Sequence, residues 1–349
     1  MPPPAAPREE QKIPKGPAAS AFKTGRGGWW VKTQWVKTLQ PGAEVATYFG
    51  IFDVSLAKTK SGANFLKLLL GDRTGKVEGR VWDPALAEDL YRSISPGDIV
   101  IIHGVVTEFN GLQINLETCT RVKKEEVDLN DFRPVTEKDI PQMLRQFTLE
   151  LEKVSTPPLK ALLKNIFTPD FLDGFGRATA ARTIHHAYGG GLLEHTLEVL
   201  AYCEQVCRVQ GEMIDRDLLL TGACLHDIGK LWEYDQEALT FRRTEAGRLL
   251  GGHVILGHDF VRDRIAQIGG LPGRLELHLR HLILSHHGQK EWGAVEEPHT
   301  LEAVALHHAD LMSARLNQVE QVIKAGRREG HWTGYDRHLG RSIYVPESP

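Results

Sequence analysis

Cysteine is scarce in this chain and is not arranged to cross-link it or to bind zinc. The 349 residues include four cysteines, Cys119, Cys203, Cys207 and Cys224, and no two of them form a Cys-x-x-Cys pair. This spacing matches neither a disulfide framework nor a thiolate zinc site. We therefore expect a reducing, cytoplasmic environment. Cys203 and Cys207 are expected to be small buried apolar side chains on one face of a helix.

Long apolar runs are also lacking. No segment approaches the roughly 18 apolar residues that a membrane span needs, and the N-terminus has no apolar region typical of a secretory signal. Charge of one sign does not dominate, since 42 Lys and Arg face 45 Asp and Glu for a net charge of −3. We expect a soluble, unexported protein with no membrane partner, and any nucleic-acid surface must be local.

The composition changes along the chain in a way that predicts separate domains. Residues 1–28 are rich in Pro, Ala, Gly and Lys, which is typical of a disordered tail. From 29 to 122, short alternating runs between turn residues predict five strands and one helix. The strands are expected at 46–54, 65–70, 77–82, 98–106 and 112–116, and the helix at 84–94. This order predicts an all-β OB-fold barrel, a fold that commonly binds oligonucleotides.

A different pattern follows the barrel. Residues 123–140 are charged, include Pro134 and predict a linker, while helical periodicity dominates 141–330. Helices are expected at 140–153, 158–167, 192–210, 216–234, 251–268, 275–285 and 299–328, and 331–349 is expected to be a C-terminal tail. The chain is therefore expected to be multidomain, with an all-β OB-fold barrel followed by an all-α helical bundle.

Several barrel side chains are candidates for contacts with single-stranded nucleic acid. Aromatic rings stack on bases for about 1–3 kcal/mol per base, and Lys and Arg contact phosphates. Aromatic residues in small barrels are more often in the core, but alternation in the third strand places Trp82 on the same face as Arg80, which favours exposure. The candidates are Phe65, Lys67, Arg80, Trp82, Phe109, Gln113 and Asn115.

A His-Asp doublet, His226 and Asp227, is the most informative feature of the second half. Histidines and carboxylates occur there in the order His195, His226, Asp227, His253, His286, His287, Asp310. Imidazole and carboxylate groups bind Mn, Fe, Co, Ni, Zn or Mg, and two ions about 3.5–4 Å apart can activate water and neutralise phosphate charge. Residue chemistry alone thus predicts metal-assisted phosphoester hydrolysis, with Asp227 as the natural bridge.

The neighbours of the doublet suggest further roles. Lys230 follows Asp227 by three residues, so a helix would place its ammonium on the same face, within reach of a phosphate. The glycines at 189–191 lack the context of a nucleotide fingerprint, and we expect them to let the chain turn tightly into the helix that bears His195. Six further histidines fall outside the order above and are assigned no site role: His281, His299, His307, His308, His331 and His338.

The motifs resemble one family over most of the chain. The segment Ile184-His185-His186-Ala187-Tyr188-Gly189-Gly190-Gly191-Leu192-Leu193-Glu194-His195-Thr196, with Ile283-Leu284-Ser285-His286-His287-Gly288 and the later Asp310, resembles the YhaM-type 3′-to-5′ exoribonucleases. These proteins join an N-terminal OB-fold to a C-terminal HD domain. The resemblance extends from Trp35 to Arg315, although the first element is also similar to HD-like domains of some relaxases.

The resemblance implies a set of ligands. One metal would be bound by His195, His226, Asp227 and Asp310, and the other by His253, His286 and the shared Asp227. His287 could replace or supplement His286. Asp227, Lys230 and His186 are the implied catalytic residues, with Lys230 and His186 as phosphate contacts. The alternative for His186 is that it braces the glycine-rich turn.

The resemblance also implies a function. It predicts a metal-dependent 3′-to-5′ exoribonuclease with two divalent ions, Mn²⁺ first and Mg²⁺, Co²⁺, Fe²⁺ or Ni²⁺ as alternatives. The substrate would be single-stranded RNA, with activity on single-stranded DNA and homo-oligomer formation left open. An alternative is an HD phosphohydrolase of nucleotides or cyclic dinucleotides with an accessory OB domain. A non-catalytic single-strand binder is disfavoured because every ligand position is filled.

Overall fold

The computed structural model describes residues 31–109, 111–181, 186–236, 238–239 and 241–346. Contacts divide the chain into two compact units, with the division between Arg133 and Pro134. The predicted tail at 1–28 lies outside the described residues. None of the described helices combines the length and the apolar character that crossing a membrane requires.

The first unit is a closed five-stranded barrel. Its strands are β1 (Glu44–Lys58), β2 (Asn64–Asp72), β3 (Gly75–Val81), β4 (Ile99–Glu108) and β5 (Leu112–Val122), and α1 (Pro84–Ser93) lies between β3 and β4. The order around the barrel is β1-β2-β3-β5-β4, with a parallel pairing of β3 and β5 and antiparallel pairings elsewhere. The predicted barrel, with its helix between the third and fourth strands, is confirmed.

Alternation along the strands fills the barrel interior with aliphatic side chains and leaves polar ones outside. The buried set includes Val45, Phe49, Leu66, Leu68, Leu70, Val81, Val100, Ile102 and Ile114. Burying each large apolar side chain stabilises the fold by about 1.5–3 kcal/mol. The chain after the barrel also contacts it, since the Tyr48 hydroxyl donates to the Asp131 carboxylate at 2.5 Å.

The second unit is dominated by helices, as the sequence predicts. They are α2 (Ile140–Glu152), α3 (Pro157–Ile166), α4 (Pro169–Arg177), α5 (Gly191–Gln210), α6 (Arg216–Leu225), α7 (Lys230–Glu233), α8 (Glu245–Leu249), α9 (His253–Gln267), α10 (Gly273–Ser285) and α11 (Leu301–Lys324). Two short strands, β6 (Arg327–Glu329) and β7 (Trp332–Thr333), form a small hairpin after them. Helix α5 packs against α6 and α11 around a large apolar core.

Two features of this unit differ from the sequence prediction. Helices α4 and α8 were not predicted, since nine- and five-residue helices carry too few turns for a clear apolar period. The helix predicted at 216–234 is interrupted, because α6 ends at Leu225 and α7 begins at Lys230. The His-Asp doublet therefore lies in the turn between two helices rather than within one.

Candidate metal centre and nucleic-acid surface

One group of potential metal ligands comes from three different segments of the helical unit. His195 lies on α5, His226 caps the C-terminus of α6, and Asp310 lies on α11. The three side chains each offer a ligand atom, and these atoms lie within 4.8 Å of one another. His195 Nε2 is 3.2 Å from His226 Nε2 and 3.1 Å from Asp310 Oδ1. We call His195, His226 and Asp310 the Asp310 cluster.

A second group lies beside the first. His253 begins α9, while His286 and His287 follow the end of α10. Their ring nitrogens also lie within 4.8 Å of one another, and His253 Nε2 is 2.9 Å from His287 Nε2. We call these residues the His253 cluster. The sequence could not separate His286 from His287, and the structure places both in the cluster.

The Asp227 carboxylate lies between the two clusters, with one oxygen towards each. Its Oδ2 is 3.3 Å from His195 Nε2 and 3.4 Å from His226 Nε2. Its Oδ1 is 3.4 Å from His253 Nε2 and 3.7 Å from His286 Nε2. A carboxylate in this position can supply one oxygen to each of two cations.

The turn that carries Asp227 depends on a close approach between helices. A Cβ added to Gly229 would lie 2.0 Å from the carbonyl oxygen of His253 and 2.5 Å from the backbone nitrogen of Gly257. Only a glycine lets the turn come this near to the start of α9. The contact brings Asp227 next to His253.

Each imidazole that faces Asp227 directs its Nε2 inward because its Nδ1 has another partner. His226 Nδ1 is 2.9 Å from the carbonyl of Ala223, and His286 Nδ1 is 2.7 Å from that of Ile283. His253 Nδ1 is 2.6 Å from Glu233 Oε2. A partner on one nitrogen fixes the tautomer and leaves the other nitrogen free to bind metal.

His195 has a similar support made of side chains. Its Nδ1 is 2.9 Å from Ser313 Oγ, and the Ser313 hydroxyl donates to Glu198 Oε2 at 2.8 Å. Burial raises the pKa of Glu198, but the hydrogen bond and charge of His186 outweigh it and hold the pKa at about 2. Glu198 is therefore a carboxylate that keeps this chain of hydrogen bonds oriented.

Burial and charge shift the pKa values of the ligands in different directions. Burial lowers the pKa of His195, but its hydrogen bonds to Asp227 and Asp310 outweigh this and raise it to about 9. Burial, aided by the neighbouring imidazoles, lowers the pKa of His286 well below its usual value, and burial lowers that of His287 to about 4. Burial raises the pKa of Asp227, but the charge of Lys230 and the nearby imidazoles outweigh this and hold it well below its usual value. Neutral imidazoles and an ionised carboxylate are the forms that bind a divalent cation.

Lys230 lies beside Asp227. Its buried ammonium donates to Asp227 Oδ2 at 2.6 Å, and it also lines a cavity of about 300 Å³ together with Asp227 and Asp310. Burial lowers the pKa of Lys230, but the charge of Asp227 outweighs this and raises it. A protonated lysine therefore lies in the wall of the cavity, beside Asp227.

His186 lies behind His195 and does not line the cavity: the two ring centroids are 5.3 Å apart, and His186 Nε2 is 3.4 Å from Glu198 Oε2. It is fully buried, its Nδ1 is 3.0 Å from the Tyr188 hydroxyl, and its backbone N–H donates to Asn317 Oδ1 at 2.9 Å. A Cβ added to Gly191 would lie 2.1 Å from the His186 carbonyl oxygen. These contacts favour the bracing role at the glycine-rich turn over a phosphate contact.

Some cavity residues could not be found from the His-Asp order. His307 and His338, which the sequence assigns no site role, line the cavity with Trp292, Arg315 and Gln318. His338 comes from the segment predicted as a C-terminal tail. A pattern of ligand residues contains no signal for side chains that reach a site from a distant segment without binding metal.

On the barrel, five of the predicted nucleic-acid contacts form one surface patch. Trp82 is 43% exposed, and its ring stacks on that of Phe65 with centroids 4.8 Å apart. Its indole N–H donates to Asn115 Oδ1 at 3.0 Å, and the Arg80 guanidinium lies 5.4 Å from its ring centroid. Lys67 is paired with Arg80 across β2 and β3. We call these residues the Trp82 patch.

The remaining two candidates differ from the patch and from each other. Phe109 follows β4 and is 64% exposed, so its ring is open to solvent. Gln113 is only 6% exposed. Alternation assigns it to the same face as Asn115, but its side chain is covered, so the expected contact through Gln113 is not supported.

Comparisons with known proteins agree with this two-part organisation. The HD domain family matches residues 192–315, and the family of OB-fold nucleic acid binding domains matches residues 51–122. The chain is 29% identical over 311 residues to the 3′-5′ exoribonuclease YhaM of Bacillus subtilis (strain 168), covering 87% of this chain and 96% of that protein. It is 28% identical over 294 residues to the 3′-5′ exoribonuclease YhaM of Oceanobacillus iheyensis, covering 81% and 88%.

Among solved structures, a domain of replication protein A from Methanococcus maripaludis matches 26% of this chain and 97% of that chain. The identity is 22% and the TM-score is 0.23. The family and relative matches confirm the resemblance that the motifs indicate: the chain has an OB-fold domain followed by an HD domain, and it is similar to YhaM-type proteins over most of its length.

Proposed function

We propose that this chain is a metal-dependent 3′-to-5′ exoribonuclease that hydrolyses single-stranded RNA to nucleoside 5′-monophosphates. The observation that carries the proposal is the position of Asp227 between two ligand clusters, 3.3 Å from His195 and 3.4 Å from His253. That geometry supports metal-assisted phosphoester chemistry. The names of the two relatives support the polymer and the direction.

The residues present fit two divalent cations. His286 Nε2 is buried and has no hydrogen-bond partner among the described residues, which is costly unless a ligand binds it. The Asp310 cluster with Asp227 Oδ2 would hold one ion, and the His253 cluster with Oδ1 the other. Nitrogen and oxygen donors without thiolate suit several divalent ions of this class. The resemblance to YhaM-type proteins makes Mn²⁺ the first choice, with Mg²⁺, Co²⁺, Fe²⁺ and Ni²⁺ as alternatives.

The chemistry divides between the ions and the chain. When bound, a pair of divalent ions supplies activation of the attacking water and stabilises the charge on the phosphodiester. The water oxygen forms the new bond to phosphorus, and the P–O3′ bond breaks. The water gives up one proton and the departing O3′ takes one up, so the shortened strand ends in a 3′-hydroxyl. Lys230, which lines the cavity, would neutralise charge on the phosphate oxygens. The buried imidazoles hold the centre out of bulk water.

The barrel would hold the rest of the strand. Exposed rings stack on unpaired bases whatever the sequence, and cations beside them contact phosphates. The Trp82 patch has both, with Phe109 as a further exposed ring. A duplex would have to unpair before its bases could stack here, so the substrate is single-stranded.

An end-labelled oligoribonucleotide tests the proposal. A 5′-labelled single strand with a free 3′-hydroxyl, incubated with the full chain and Mn²⁺, should shorten from its 3′ end in a ladder on a denaturing gel. A chelator should stop the reaction, and a blunt duplex should resist it. Immediate release of the label as a mononucleotide would reverse the direction. Internal fragments from a circular RNA would show an endonuclease, and turnover of nucleotides alone would favour the small-molecule phosphohydrolase.

A further inference from the structure

Two cavities of the helical unit adjoin each other beyond the metal centre. The first, about 300 Å³, contains Asp227 and Lys230 in its wall, and Arg315 and His338 also line it. The second, about 430 Å³, is lined by the same Arg315 and His338 and by Arg341. Because Arg315 and His338 line both cavities, we call the row of side chains from the centre through Arg315 and His338 to Arg341 the path.

Arg315 carries a charge that the described side chains do not neutralise. It lies on α11, five residues after Asp310. Its one hydrogen bond among the described residues runs from Nη1 to Gln318 Oε1 at 3.3 Å, and no described carboxylate pairs with it. Gln318 is buried and in turn donates to Asp336 Oδ1 at 3.3 Å. The guanidinium is thus oriented by an amide and left free to bind an anion.

The C-terminal segment supplies His338 and Arg341 to the path from one turn. The Asp336 carboxylate accepts the backbone N–H groups of His338 at 3.0 Å and Leu339 at 2.7 Å. The backbone of Asp336 also pairs with that of Arg341. These bonds hold His338 and Arg341 on one short turn. The described lining of the second cavity contains two arginines and a histidine and no carboxylate.

We propose that this path binds the RNA strand upstream of the cleaved bond. This proposal rests on the proposed exoribonuclease function. It assigns Arg315 to the first phosphate 5′ of the scissile phosphate and Arg341 to the next one. A pocket for a terminal nucleotide would need polar groups around a single residue of RNA. Here two arginines that have no carboxylate partner among the described residues instead follow one another away from the centre, as successive phosphates would. Arg341 keeps one hydrogen bond, from Nε to the Leu339 carbonyl at 3.3 Å.

Trp292 and His338 also line the first cavity. Trp292 lines the first cavity and is 50% exposed, so its ring is open to a base. The C-terminal segment, predicted as a tail, would therefore be part of the substrate-binding surface of the helical unit. Specificity for polymers over single nucleotides would come from these contacts, which a mononucleotide is too short to reach.

Substrates of increasing length test the assignment residue by residue. An unphosphorylated dinucleotide has only the scissile phosphate, a trinucleotide has one upstream phosphate, and a tetranucleotide has two. Arg315→Gln should lower kcat/KM about tenfold for the trinucleotide and tetranucleotide but not for the dinucleotide. Arg341→Gln should lower it only for the tetranucleotide. Arg337→Gln is the matched control, because Arg337 is on the same turn but lines neither cavity.

Binding gives a second readout that does not depend on turnover. The salt dependence of binding of a longer labelled oligoribonucleotide to the full chain, measured with chelator present, should become shallower by about 0.7 in log–log slope for each arginine removed. Equal behaviour of Arg315→Gln, Arg341→Gln and Arg337→Gln in both readouts would overturn the path. Loss on the dinucleotide as well would overturn the assignment of Arg315 to the upstream phosphate. If the wild-type chain cuts no oligonucleotide, while the two arginine variants still show the shallower salt dependence of binding, the proposed function would be contradicted and the path would stand.

Discussion

The Trp82 patch and the metal centre use polar and aromatic side chains in opposite environments. In the patch, Trp82 is 43% exposed, and its contacts are stacking, a cation–π contact and one hydrogen bond. In the centre, His195, His226 and His286 are almost fully buried and face two ionised carboxylates.

The difference predicts how each region tolerates change. Contacts at an exposed surface bury little and leave no charge unsatisfied when one is removed, so losing one weakens binding by a limited amount. Buried charged groups depend on one another, because removing one leaves its partners unsatisfied in a low-dielectric site. Substitutions in the barrel should therefore give graded losses of affinity, whereas substitutions in the centre should give large losses of activity.

The largest effect is expected for Asp227→Ala. This change removes the oxygen donors between the two clusters, and it should reduce hydrolysis at least about a thousandfold with any metal, since several kcal/mol of charge stabilisation is lost. RNA binding should change little, because the barrel is intact. Gel assays and fluorescence anisotropy on the same preparation measure both. Asp263→Ala, which removes an exposed carboxylate on α9, is the control and should retain activity. Substantial turnover by Asp227→Ala would show that the reaction does not need a carboxylate between the two clusters.

A smaller loss is expected when the support of one ligand is weakened. Glu233 accepts the backbone N–H of His253 at 3.2 Å, its Oε2 is 2.6 Å from His253 Nδ1, and Arg243 holds its other oxygen. Burial raises its pKa, but His253 and Arg243 lower it to about 2, so it is a carboxylate at neutral pH. Glu233→Gln should weaken metal affinity about 10–100-fold.

The readout is the Mn²⁺ concentration for half-maximal activity, which should rise while activity at saturating metal is largely regained. Glu245→Gln, an exposed neighbour at the start of α8, should leave the titration unchanged. Equal titrations for Glu233→Gln and the wild-type chain would show that His253 does not need this support.

The smallest effect is expected in the barrel. Trp82→Ala should weaken binding of a long single strand by about 1–3 kcal/mol if the ring stacks on a base. Hydrolysis of a dinucleotide, which is too short to need the patch, should hardly change. Tyr91→Ala is the matched control, because Tyr91 is a 47% exposed aromatic residue of the same unit outside the patch. Similar losses on long and short substrates would indicate a folding defect instead of a lost contact.

Much of the fold could be predicted because its signals are local. Alternation predicted the strand ends to within four residues, except that β5 extends six residues beyond its predicted end. The Asp-Pro start of α1 marks a capped helix, where Asp83 accepts the Leu86 N–H. The interruption of the helix predicted at 216–234 could not be read locally. The close approach of Gly229 to His253 in this turn involves a residue far along the chain, which a local pattern does not show.

The candidate ligands were predictable because imidazole and carboxylate residues in a fixed order carry their chemistry in their identity. The burial of the barrel residue Gln113 was not predictable, since alternation gives the face of a side chain but not what covers it. Arg315 and His338 were also missed, because an arginine or histidine on a surface segment gains a role only from the cavity it lines. Tertiary neighbours therefore decide what the sequence pattern leaves open.

Metal stoichiometry tests the central claim most directly. The full chain, dialysed to equilibrium against Mn²⁺ and measured by mass spectrometry of the metal, should bind about two ions per chain, the number that the paired clusters support. Asp227→Asn should lose at least one of them at the same free Mn²⁺ concentration, while Asp263→Asn should keep both. One ion in the wild-type chain, or two retained in Asp227→Asn with unchanged affinity, would contradict a two-metal centre bridged by Asp227.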